Sequence, residues 1–112
     1  MTAGVHLNGH EYKQGDWCGV VKTNPRRPGS PATYHVGRVE NFLVFPGIVF
    51  VRLSERPVLE KRFTYYIHQN TDGFMDCGNL LVHIDNVTAK MHVVPHFDDA
   101  EKVCSIHVWD AR

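Results

Sequence analysis

Apolar residues along this chain cluster in short runs and alternate with polar ones, a period that predicts strands rather than helices. The strongest stretch is residues 34–53, YHVGRVENFLVFPGIVFVRL, where two apolar runs, 42–45 and 48–51, are separated only by Pro46-Gly47. Val, Ile and Phe suit a pleated, buried surface, and each run is too short for a free-standing helix. Pro46 fixes φ at one turn position and Gly47 accepts positive φ at the next, which predicts a central β-hairpin closed by a type II turn. Type II geometry matches strand twist poorly in a two-residue loop, so a bulge or a slightly longer loop is expected there. Val49, Val51 and Leu53 share one face of the second strand, and Ile48, Phe50 and Arg52 share the other. Neither face is uniformly polar, so both should be partly covered.

Upstream, Asn8-Gly9 between alternating apolar residues predicts a type I′ hairpin over residues 5–12. Gln14-Gly15-Asp16 turns the chain into a strand over 17–22, with Trp17, Gly19 and Val21 on one face. Pro25, Pro28, Pro31 and Gly29 make residues 24–32 an irregular exposed loop. Downstream, Arg56-Pro57 ends a strand, and residues 58–62 suit one helical turn after the proline. Residues 63–68 read as a strand with Phe63, Tyr65 and Ile67 on one face, followed by a turn over 69–73. The run 80–84 fits a strand or a buried helix. Residues 91–94 form a strand stopped by Pro95, and 96–102 an acidic loop or short helix. The chain closes on a strand with Cys104, Ile106 and Val108 inward and Ser105, His107 and Trp109 outward. With neither repeat nor linker, this predicts an all-β fold with short helical turns: a single small bent-sheet β-barrel spanning residues 1–112.

Composition narrows the function. A chain of 112 residues with 43% hydrophobic content can bury a core without metal or disulfide staples. Twelve basic and twelve acidic side chains cancel, which disfavours a domain that grips nucleic acid by overall charge but leaves room for a local patch. Cys18, Cys77 and Cys104 are odd in number and lack a Cys-x-x-Cys pair, as expected in a reducing compartment. No apolar run reaches the length of a membrane span, and no signal-peptide, propeptide or lipidation pattern appears. The sequon at Asn86-Val87-Thr88 is of a kind common by chance.

Three ordered features resemble a bromo-adjacent homology (BAH) domain. They are the opening turn LNGHEYKQGDWCGVV with Gly15-Asp16, the Gly37-Arg38-Val39 step, and the strand FVRLSERP ending in Arg56-Pro57. The likeness covers residues 5–57; beyond it, Asn79-Leu80-Leu81 and the closing strand sit about where that family has its later elements. The terminal module of some proteins encoded by fungal transposon-like genes is similar, finishing on a phrase like Cys104-Ser105-Ile106-His107-Val108. The resemblance implies a non-catalytic β interaction module of nuclear chromatin proteins, binding a chromatin-associated protein or histone peptide, with no cofactor. Several such domains read methyl-lysine in an aromatic cage by cation–π attraction. The cage positions ahead of Arg-Pro correspond here to Leu53, Ser54 and Glu55, none with a π face. A cage would have to use other rings, and a methylation-independent contact is expected instead.

Candidate residues follow from side-chain chemistry. Trp109, His107, Tyr66, Tyr34 and Trp17 form the candidate aromatic binding surface, since aromatics dominate interface hot spots; Trp17 also suits the core. The basic residues Lys22, Arg26, Arg27 and Arg38 are the alternative, a nucleic-acid contact through phosphates, as in a transposon-derived protein. His83, His92 and His96 are the weak metal candidates of a small His-dependent metalloenzyme, lacking dense ligand spacing. Neither Cys18 nor Cys104 has a sequence cue for an oriented base. The sequence carries no signal for an oligomeric state.

Overall fold

A computed structural model describes residues 4–7, 9–23, 26–70 and 79–107. Strands β1 (Gly4–Leu7) and β2 (His10–Lys13) form the N-terminal hairpin. The other strands are β3 (Trp17–Lys22), β4 (Thr33–Phe45), β5 (Ile48–Glu55), β6 (Glu60–Lys61), β7 (Tyr65–Gln69), β8 (Asn79–His83), β9 (Val87–Pro95) and β10 (Lys102–His107). They pair antiparallel in the order β6-β7-β10-β9-β3-β4-β5-β8, and the sheet curls strongly into a half-barrel. A 3-10 turn, Ile84–Asn86, joins β8 to β9.

The central hairpin forms as the apolar runs predict, and its loop is only two residues long: Phe45 pairs with Ile48, and Gly47 sits at φ +78°. The bulge lies five residues up the strand at Glu40, where the register shifts between Val39 and Asn41. A second irregularity falls at Gly19/Val20 in the β3–β9 pairing. Bulges bend the strand and increase local twist, which accounts for the curl.

The two faces of this sheet are unequally covered. On one, Cys18, Val20, Val39, Phe42, Val51, Leu53, Leu80, Val82 and Val87 form the core, with Tyr12, Val5 and Leu7 of the first hairpin packed over it. The turn expected at Gly15-Asp16 is tied to β4 by reciprocal backbone bonds, Gly15 N–H to Val39 O at 2.9 Å and Val39 N–H to Asp16 O at 2.7 Å. Arg56 N–H donates to Val36 O at 2.8 Å. All three sequence features that carry the BAH resemblance therefore meet along β4.

Several expectations are corrected. No helix follows Pro57: residues 60 and 61 form the short strand β6, because Leu59 N–H and Arg62 N–H donate to the carbonyls of Ile67 and Tyr65 on β7. Phe63 precedes β7 and is fully exposed instead of sharing a face with Ile67. The run at 80–84 is a strand, β9 extends back to Val87, and residues 96–101 form turns without a helix. The Ser105 face of β10 is not outward; Ser105 is completely buried. Residues 71–73 of the expected turn, Val108 and Trp109 lie outside the described residues.

Candidate functional site

The second face of the sheet brings distant rings together. Register places Tyr66 and His68 of β7, Ser105 and His107 of β10, Met91 of β9, Trp17 and Gly19 of β3, and Tyr34 of β4 on it. From β4 to β7 is four strand steps, about 19 Å in a flat sheet at ~4.8 Å per step. Yet the Tyr34 and Tyr66 ring centroids are 6.0 Å apart, and His107 completes the group at 6.3 Å from Tyr34 and 6.1 Å from Tyr66. The curl of the sheet closes that gap. The three ring planes lie within 12° to 41° of one another, a stacking group rather than a box of perpendicular walls.

Tyr34 reaches this position because β3 has a glycine beneath it. A Cβ on Gly19 would fall 2.5 Å from Tyr34 Cζ and closer still to the hydroxyl oxygen. The hydroxyl is hydrogen-bonded with Thr88, whose own Oγ1 donates to Gly19 O at 3.2 Å. Burial of this hydroxyl raises the Tyr34 pKa to about 12, the Thr88 bond opposing the shift. Tyr34 nevertheless remains 39% exposed.

Beside Tyr66 and His107 opens a cleft of about 360 Å³, lined also by Lys61, Arg62, Phe63, Thr64 and Tyr65. Tyr65 and Tyr66 are both half-buried, so neither ring of the pair is fully outward. Phe63 stands in solvent at this cleft, and Arg62 is held by Glu60 at 2.8 Å in an exposed ion pair. The cleft thus combines flat apolar surface with two cationic side chains.

Trp17 belongs to a neighbouring stack instead. Its ring meets His68 edge-on at 5.2 Å and lies under the buried guanidinium of Arg56 at 5.5 Å. His68 Nδ1–H donates to the carbonyls of Arg56 and Pro57, at 3.2 and 3.1 Å, and its Nε2 accepts from Ser105 Oγ at 2.7 Å. Burial, with the Arg56 charge adding to it, lowers the His68 pKa and keeps the ring neutral. Ser105 and His68 resemble a nucleophile–base pair in distance only: at 0% and 1% exposure neither meets a substrate. Arg56, His68 and Ser105 are absent from the sequence candidates. The signal that could have found His68 and Ser105 is the shared phase of Tyr66/His68 and Ser105/His107 on paired strands.

The other sequence candidates disperse. Lys22 ends β3 opposite Thr33, whereas Arg38 lies opposite Trp17, about 17 Å back along the strand at ~3.4 Å per residue. Arg26 and Arg27 are exposed in the β3–β4 loop, at the Lys22 end, so Arg38 is not part of that patch. His83 Nδ1 accepts from Asp85 N–H and His96 Nδ1 from Asp98 and Asp99 N–H, each at 3.1 Å. His92 is exposed on β9, and among the described residues no three His, Cys, Asp or Glu side chains converge. Of the three residues where the resemblance would place a cage, Leu53 is fully buried and Glu55 is bound to His35 Nδ1 at 2.6 Å. Among the described residues, no helix is long and apolar enough to cross a membrane. Comparison of the chain with models of known families, with curated proteins and with solved structures finds no match.

Proposed function

We propose that this chain is a non-catalytic interaction module of the BAH-like kind, working in the nucleus on a segment of a chromatin-associated protein. The observation that carries the reading is the convergence of Tyr34, Tyr66 and His107 from three strands beside the Lys61–Arg62 cleft. Rigid rings at a concave surface bury contact area at little entropic cost, the property that makes aromatics interface anchors. With Arg62 paired to Glu60, Lys61 is the cation that repels a quaternary ammonium and favours an acidic segment; near-parallel rings offer a stacking surface, so recognition is independent of lysine methylation. The meeting of the three BAH-like sequence features along β4 supports the same reading.

The alternative is a nucleic-acid contact, favoured by one observation: Lys22, Arg26 and Arg27 lie at the end of β3 and β4 that carries Tyr34. Binding of fluorescent mononucleosomes separates the two. Tyr66→Ala and the double variant Lys61→Glu/Arg62→Glu should each weaken binding by roughly tenfold or more, the loss typical of an interface hot spot. Unchanged affinity in both overturns the reading. Loss confined to Arg26→Glu/Arg27→Glu, with affinity falling steeply as salt rises, establishes the phosphate contact instead.

A further inference from the structure

The two edges of the sheet are built differently. At one, β6 is two residues long and consists of Glu60 and Lys61, a short charged strand of the kind that blocks edge-to-edge pairing. At the other, β8 is Asn79-Leu80-Leu81-Val82-His83, with no Lys, Pro or bulge; it pairs with β5 through all five residues. Among the described residues, its second edge has no strand partner. Leu80 and Val82 point into the core, while Leu81 is 56% exposed. Leu81 lies opposite the exposed Arg52 of β5, and further along its face of β4 and β5 run Leu43, Phe45, Ile48 and Phe50. Phe50 packs edge-on against Phe45 and His83, at 6.3 and 5.7 Å.

From this edge we infer that the chain forms a two-fold dimer by antiparallel pairing of β8 with β8 of a second copy, centred on Leu81. The strand is self-complementary in that register. Leu81 faces Leu81, Leu80 faces Val82 on the core side, and Asn79 faces His83, a pair able to hydrogen-bond. The dyad extends the two sheets into one, with Arg52 flanking Leu81 on each side. Pairing β8 with the charged β6 of another copy would set Glu60 and Lys61 against Leu80, Leu81 and Val82, so an open head-to-tail chain is disfavoured and the closed pair is favoured. The strands that carry Tyr34, Tyr66 and His107, namely β4, β7 and β10, are interior to the sheet and do not form this edge.

Sedimentation velocity across a concentration series of the full chain tests this directly. The expected result is a reversible monomer–dimer equilibrium, abolished by Leu81→Lys, which sets two like charges against each other at the dyad and leaves the core untouched. On the wild-type chain, amide exchange should show β8 N–H groups gaining protection as concentration rises, a readout independent of how well the variant folds. A monomer at every concentration, a dimer that survives Leu81→Lys with unchanged β8 exchange, or open-ended growth instead of a dimer each overturns the inference.

Discussion

Gly19→Ala is the smallest change that probes the aromatic group without altering any of its three side chains. The added methyl occupies the space of the Tyr34 hydroxyl and Cζ, with Met91 Cε the next neighbour at 3.2 Å. Met91 is flexible and can yield; the tyrosine ring is rigid and must swing out. Overpacking of this kind costs ~1–3 kcal/mol, offset by ~0.5–1 kcal/mol gained on replacing glycine within a strand. The net loss is about 1 kcal/mol, which lowers Tm by a few degrees in a domain of this size. The decisive assay is a double-mutant cycle in urea, with Tyr34→Ala as the second change. Once Tyr34 is truncated, Gly19→Ala should be neutral or slightly stabilising, a coupling of about 1–2 kcal/mol between the two sites. Gly19→Ala alone should also weaken mononucleosome binding several-fold, because it displaces one of the three rings. Equal destabilisation by Gly19→Ala in both backgrounds would refute the claim that the glycine exists to seat Tyr34.

Two other groups report on the interior. His68 is neutral in the fold with a pKa below its ordinary 6.5, so the unfolded chain binds the extra proton first and stability falls as pH drops below about 6.5. Thermal melts at descending pH should show this slope shallower in His68→Gln. Ser105→Ala, which removes the donor to Nε2, should cost about 1–3 kcal/mol at neutral pH, the penalty for a buried unsatisfied acceptor. The Cys18 thiol is pushed up to about 12, by burial first and the nearby Asp16 charge second. It should therefore resist alkylation in the native protein and react only on unfolding, as mass-spectrometric mapping will record.

Much of the fold is legible in the sequence where local chemistry and tertiary packing agree. The runs around Pro46-Gly47, the Asn8-Gly9 turn and the alternation of Cys104 with Ser105 each specify their strand before any contact is known. Phe63 and residues 58–62 are not legible, because β6 exists only through backbone bonds to β7 that no local pattern encodes. The buried Arg56 reads as a polar strand end; only the Trp17 ring beneath it and the carbonyl it presents to His68 reveal its place. The polar phase of Ser105 and His107 suggests solvent, yet His68 from the neighbouring strand satisfies Ser105 and lets that face be buried. Tyr34, Tyr66 and His107 are recognisable one at a time as candidate anchors. Their convergence depends on the curl set by bulges at Gly19/Val20 and Glu40, and a bulge is invisible to a period-two reading.

The most direct test of the central claim is a residue-resolved NMR titration of the labelled chain with mononucleosomes. The account predicts shifts concentrated at Tyr34, Tyr66, His107 and the Lys61–Arg62 cleft, with the Leu53–Glu55 segment unmoved. An absence of shifts, or shifts confined to Lys22, Arg26 and Arg27 while the three rings stay still, would contradict it.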